Sequence, residues 1–171
     1  MNSNQQNRAV GLGVMGFADV IEKLGFSYES DQAYDLIDQL LEFISYHAID
    51  ASADLAAERG SYPNYKGSGW SKGMLPIDTL DVLAKDRGVE VNISRSHKLD
   101  WQNVRTKVKK GMRNATLMAI APTANNAHVS STTPGIDPQF AQIFSRATLN
   151  GKFLEVNVNL VNDLRKLGLW D

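Results

Sequence analysis

Apolar residues recur at helical intervals over most of this chain, and the places where that period fails locate the remaining elements. Val14, Phe17, Ala18, Ile21 and Leu24 recur at three- and four-residue steps, so a first helix is expected over Val10 to Leu24, stopped by Gly25. A longer run follows. Ser30 is suited to cap it, and Ala33, Leu36, Ile37, Leu40, Leu41, Ile44, Ala48, Ala51 and Leu55 form one stripe as far as Arg59, with Gly60 placed to end it. Such a helix is about 45 Å long at ~1.5 Å rise per residue, a spine buried along one face. Residues 61–76 abandon the period and are rich in Gly, Ser, Pro and aromatic residues, including Tyr62, Tyr65 and Trp70, which fits an ordered loop pinned by rings. A weaker helix is expected over Ile77 to Arg87, ending at Gly88. Asp100 can cap another that runs through Lys110 to Gly111, with Arg105, Lys107, Lys109 and Lys110 in its later turns, where the helix dipole favours them.

The period then changes. Ala115 to Ala121 is apolar with little polar alternation and predicts a strand buried on both faces, as parallel strands are. Phe140 to Thr148 and Lys152 to Val156 flank Asn150-Gly151, a dipeptide that favours a tight hairpin turn. Asn157 or Asn159 can cap a last helix, Leu160 to Leu167, with Gly168 as its stop. The mixture points to an α/β fold, with the polar residues 1–8 expected to lack order.

Composition narrows the chemistry. With 171 residues, 43% of them hydrophobic and 22% charged, the chain can build one globular domain with a sizeable core. Lys plus Arg (18) nearly cancels Asp plus Glu (19), so no global field favours nucleic acid or an anionic membrane, and an anion would have to be bound locally. No apolar stretch approaches the ~20 residues a membrane span needs, and the start has no signal-peptide core; a cytoplasmic location is expected. The absence of cysteine removes disulfides, thiolate metal sites and thiol nucleophiles together.

Three candidate sites follow. Gly11, Gly13 and Gly16 spell G-x-G-x-x-G, with Glu29 or Asp31 downstream where a ribose-binding acid would stand, but the preceding residues, Asn4 to Arg8, are polar and not a buried strand. Packing of a helix through small residues is the better reading. His47, Asp50 and Asp54 share one helix face, yet no Glu-x-x-His motif accompanies them, so a solvated or interface face is preferred to a metal site. His97 and His128 lack partners for catalysis. The third candidate is Pro122 to Ser131. Pro122 ends the strand, and Thr123, Asn125 and Asn126 place short polar side chains beside successive backbone N–H groups at a turn into a helix, a geometry suited to an anion. A capped strand-to-helix loop is the alternative on residue types alone.

The run R-N-A-T-L-M-A-I-A-P-T-A-N-N-A-H-V-S-S-T-T-P-G-I-D-P-Q-F-A-Q-I-F-S-R-A-T-L-N-G from Arg113 to Gly151 resembles the phosphate-binding end of the large, catalytic subunit of class I ribonucleotide reductases. The likeness extends from N-R-A-V-G-L-G-V-M-G-F-A-D at Asn7 to Asp19 through E-V-N-V-N-L-V-N-D-L-R-K-L-G-L-W at Glu155 to Trp170. It implies part of a ten-stranded α/β barrel with long outer helices and a hairpin near the end of this chain. It also implies that Thr123, Ala124, Asn125 and Asn126 hold the substrate's diphosphate, with Asn125 and Asn126 standing where that family usually has Ser or Thr. The family's radical chemistry runs on cysteines that this chain lacks, so the resemblance implies no catalytic residue, metal or bound cofactor here. An internal piece of a longer or split catalytic subunit is expected. Its partners would be a ribonucleoside diphosphate, the remaining parts of the large subunit and a small subunit whose metal site generates the radical, with a dithiol as reductant. A non-catalytic binding or scaffold module that keeps the fold is the alternative, favoured by the Asn125-Asn126 pair.

Overall fold

Capping groups end most of the helices where local sequence puts them. A computed structural model describes residues 2–149 and 151–170. In chain order the elements are α1 (Asn2–Asn7), α2 (Phe17–Lys23), α3 (Asp31–Arg59), α4 (Thr79–Arg87), α5 (Trp101–Val108), α6 (Ala124–Val129), β1 (Ile143–Thr148), β2 (Gly151–Val156) and α7 (Val158–Lys166). The Ser30 hydroxyl accepts from the Ala33 N–H at 3.2 Å, and Asp100 accepts from the Asn103 N–H at 3.1 Å. Asn157 accepts from the N–H groups of both Asn159 and Leu160. Gly60, Gly88 and Gly168 follow α3, α4 and α7 with positive φ, the left-handed turn that only glycine enters freely.

Two compact units divide the chain, residues 1–12 with 38–119 and residues 13–37 with 120–171. The core of the first is Ile49, Ala53, Tyr62, Leu75, Val104, Val108, Met112 and Leu117, with Tyr46, Trp70 and Trp101 packed against it. The loop at 61–76 is ordered by its rings: the Tyr65 hydroxyl donates to the Val108 carbonyl at 2.6 Å and the Trp70 indole N–H to the Ala115 carbonyl at 2.9 Å. In the part of α3 that belongs to this unit the buried positions are Ile49, Ser52, Ala53 and Ala56, one residue on from the expected Ala48, Ala51 and Leu55, and Leu55 is exposed, whereas the expected Ala33 is buried near the start of the helix. The small residues win this face because the chain at Gly111 crosses it closely; a Cβ on Gly111 would lie 3.3 Å from that of Ala56.

Three expectations are corrected in or beside this unit. The polar start is helical as α1, whose Asn7 side chain is bonded by Asn64 at 3.0 Å. The first helix begins at Phe17 rather than Val10. Residues 10–12 are extended along 116–119, with Val10 N–H to the Thr116 carbonyl (3.1 Å), Leu12 N–H to Leu117 (2.7 Å) and Ala119 N–H to Leu12 (2.9 Å). Closely spaced glycines disfavour a helix there, and Gly11 lets the segments meet, since a Cβ on it would stand 2.9 Å from that of Ala119. Nor is 115–121 buried on both faces. Leu117 is buried and Thr116 exposed, an alternation that reflects a single parallel bridge, Leu12 to Met118.

The second unit has a smaller core of Phe17, Ile21 and Ala33, against which Phe26, Tyr28, Leu36, Ile37 and Ile136 pack. It carries the hairpin: β1 and β2 are antiparallel, with Ile143 opposite Val156 and Ala147 opposite Lys152. The turn residue Asn150 lies outside the described residues. This pair is the one sheet among the described residues. Two strands and a bridge cannot close a barrel, so the mixed α/β character stands while a ten-stranded barrel is not seen.

Candidate functional site

The loop at Pro122 is built by an unusual residue conformation. Thr123 has φ 45° and ψ 22°, a left-handed geometry that is a genuine outlier for a β-branched residue and costs about 1–3 kcal/mol unless its surroundings hold it. Its hydroxyl oxygen accepts the N–H of Gly135 at 2.9 Å and so does not cap α6. The first backbone bond of the helix runs from the Ala127 N–H to the Thr123 carbonyl at 2.8 Å. Ala124, Asn125 and Asn126 therefore present N–H groups that precede that bond, and all three residues are exposed. One residue later Ala127 is buried to 1% exposure and anchors the turn. The arrangement offers directed donors to an oxyanion from the main chain, with two amide side chains beside them.

Residues 130–136 close behind this loop. The Thr132 N–H returns to the Ala127 carbonyl at 3.0 Å, and the Thr133 carbonyl accepts the Gly16 N–H at 2.8 Å. Asp19, in the first turn of α2, faces the same segment. One of its oxygens accepts from the Thr132 hydroxyl (2.5 Å), the Thr133 N–H (2.7 Å) and the Thr133 hydroxyl (3.2 Å), and the other accepts from the Asn159 side-chain amide (3.2 Å). Glu22, one turn on, takes the side-chain amides of Asn157 (3.1 Å) and Asn159 (2.9 Å). Tyr28 donates its hydroxyl to the Ile136 carbonyl at 2.7 Å; burial, with help from Asp137, raises its pKa and keeps it a neutral donor. Asp19, Thr132, Thr133 and Gly135 were not among the residues the sequence singles out. The Thr-Thr-Pro-Gly run was the available signal, a turn rich in hydroxyls just after the polar loop.

The other flagged residues do other work. Gly16 has φ 83° and sits where a Cβ would strike the Thr132 hydroxyl, so two of the motif's glycines, Gly11 and Gly16, serve close approach of other segments. Asp50 and Asp54 flank the Lys107 ammonium at 2.7 and 3.0 Å, which raises the pKa of Lys107 through hydrogen bonds to the two carboxylates. His47 instead makes ring contacts with Phe43 and Tyr46, 4.5 and 5.1 Å between centroids. His128 lies 3.7 Å from Glu155.

Comparison with known proteins bears on the whole chain. Residues 1–171 match the family model described as ribonucleotide reductase, barrel domain. The chain is 47% identical over 171 residues to the ribonucleoside-diphosphate reductase subunit alpha of Chlamydia trachomatis, covering 99% of this chain and 16% of that protein. It is 43% identical over 162 residues to the subunit alpha of Helicobacter pylori, covering 92% of this chain and 20% of the relative. To the large subunit of Arabidopsis thaliana it is 38% identical over 169 residues, covering 98% and 19%. The chain thus spans a sixth to a fifth of the length of these relatives. No helix among the described residues is long and apolar enough to cross a membrane.

Proposed function

Because the chain belongs to the ribonucleotide reductase barrel-domain family, we propose that it supplies the substrate-diphosphate loop of a ribonucleoside-diphosphate reductase large subunit, with Thr123, Ala124, Asn125 and Asn126 as the cradle. The observation that carries the reading is the set of N–H groups of three exposed residues, Ala124 to Asn126, that precede the first helical bond and lie behind a left-handed Thr123 whose hydroxyl oxygen is engaged elsewhere. A diphosphate oxygen placed there meets donors that need no reorganisation, and charge-assisted bonds of this kind are the strong ones. The Asn125 and Asn126 side chains add donors of longer reach and greater conformational freedom.

The loop binds and orients; it does not cut. Without cysteine, this chain has no thiol to carry a radical or to deliver electrons to the ribose 2′ position. Those steps fall to other parts of the large subunit, to a small subunit whose metal site makes the radical, and to a dithiol reductant. In a cytoplasmic enzyme of this kind the present residues would act on ribonucleoside diphosphates through their phosphates alone. The Asn125-Asn126 pair favours one other reading, a binding or scaffold module that has kept the fold and given up the reaction.

Two substitutions test the cradle, with calorimetric titration of a nucleoside diphosphate or pyrophosphate into the full chain. Ala124→Pro removes one N–H and, by restricting the residue before it, opposes the left-handed Thr123. Loss of a bond to a charged group at about 1.5–3 kcal/mol corresponds to roughly ten- to a hundredfold weaker binding. Asn125→Ala should cost about three- to tenfold, the scale of an ordinary side-chain bond. Equal tolerance of both changes would remove the phosphate site from this loop.

A further inference from the structure

We infer that Asp19 is a positioning residue for the 123–126 loop, setting the direction of its N–H groups without touching the ligand. This rests on the phosphate reading above and adds the device that keeps the cradle in shape. The mechanical chain is short and lies within one unit. The Asp19 carboxylate gathers the hydroxyls of Thr132 and Thr133 and the Thr133 N–H on a single oxygen. Gly16, three residues before it, takes the Thr133 carbonyl, so that residue is gripped on both sides of its backbone. Two residues further, the Gly135 N–H reaches the Thr123 hydroxyl and secures the left-handed turn. Gly135 itself is buried and leaves little room to shift, since a Cβ on it would stand 3.3 Å from the Ala121 carbonyl.

The chemistry of the group suits the task. A carboxylate only accepts, so it organises donors from several segments at once, and here it converts three donors of one loop into a fixed register. Among the described residues Asp19 has no cationic partner, so its charge is answered by the loop and by Asn159. Release of that register frees the Gly135 N–H from its alignment and lets Thr123 relax toward the extended backbone its β-branch prefers. The N–H groups of Ala124 to Asn126 then lose their common direction.

Glu22 provides the control that separates positioning from general support. It lies one turn along the same helix and bonds Asn157 and Asn159, but touches neither Thr132 nor Thr133. The experiment compares the full chain with Asp19→Ala, Asp19→Asn and Glu22→Gln, reading amide shifts at residues 124–126 as pyrophosphate is added and hydrogen exchange at Gly135. Asp19→Ala is expected to weaken pyrophosphate binding about tenfold or more and to speed Gly135 exchange. Asp19→Asn, which keeps an acceptor oxygen for the threonines, should recover part of the affinity, and Glu22→Gln should leave both readings unchanged even where it lowers the melting temperature. If Asp19→Ala does not fold, Thr132→Val removes one donor to the same oxygen and should show the same direction. Binding by the unsubstituted chain with no loss in Asp19→Ala would overturn this inference and leave the phosphate reading intact. Absence of pyrophosphate binding by the unsubstituted chain would overturn the phosphate reading and the cradle's role with it, while unchanged Gly135 exchange in Asp19→Ala would independently overturn the hold of Asp19 on the loop.

Discussion

Replacing Asp78 with Asn should lower stability at neutral pH and do so less and less as the solution is acidified. Asp78 accepts the Leu75 N–H at 2.8 Å and both terminal nitrogens of Arg105, at 2.5 and 3.1 Å, while Arg105 also donates to the Gly73 carbonyl at 2.5 Å. It thereby ties α5 to the turn that starts α4. An asparagine keeps one acceptor and turns an NH2 toward the guanidinium, so at least one of these donors loses its partner. Bonds to charged groups are worth about 1.5–3 kcal/mol, and with the two side chains 30% and 26% exposed the lower end applies, about 2 kcal/mol. For a chain of this length that is a fall of roughly 4–8 °C in Tm. The hydrogen bonds from Arg105 hold the Asp78 carboxyl below its ordinary pKa. A depressed folded value means the contribution is complete above the unfolded pKa of about 3.9 and disappears as pH falls through the folded value. Thermal melts followed by the fluorescence of Trp70 and Trp101, both in the same unit as Asp78, should show the full gap between Asp78→Asn and the unsubstituted chain at neutral pH and a closing gap below about pH 4. Coincident melts at neutral pH, or a gap that stays constant on acidification, would refute the reasoning.

Ile49 is 1% exposed in the core of the first unit, so Ile49→Ala should cost about 2–5 kcal/mol in the same fluorescence melt. Gly16→Ala forces φ 83° on alanine and drives its Cβ into the Thr132 hydroxyl; a loss of at least about 1 kcal/mol is expected, together with faster exchange of the Thr133 N–H measured by NMR. The purified chain alone should reduce no ribonucleotide with any dithiol or nucleotide effector, because it has no cysteine; product analysis free of contaminating reductase checks this, and measurable turnover would overturn the division of roles proposed here.

How the helices end was legible because capping is local. Ser30, Asp100 and Asn157 each bond an N–H within three residues, and glycines 60, 88 and 168 each turn the chain within two residues of a helix end, so a few adjacent residues carry the information. The start of α6 was legible for the same reason, because the short polar residues after Pro122 suit a helix start and the helix begins at Ala124. Facing and pairing were not. A one-residue offset on α3 separates Ala48, Ala51 and Leu55 from the truly buried Ile49, Ser52, Ala53 and Ala56, and only the close crossing of the chain at Gly111 selects between two stripes of nearly equal apolarity. Periodicity likewise drew one helix through Val10, where hydrogen bonds to residues more than a hundred positions away draw the segment out instead. Glu42 gathers the N–H groups of Lys98, Leu99 and Trp101 across 56 to 59 positions, and Asp19 reaches Thr132 and Thr133 across 113 and 114. Local propensity acts over about one helical turn, whereas a lone carboxylate says nothing about which distant donors folding will bring to it. The chain's sequence thus determined the helix ends that local caps fix, and the tertiary structure alone decided which faces are buried and which distant donors Asp19 gathers.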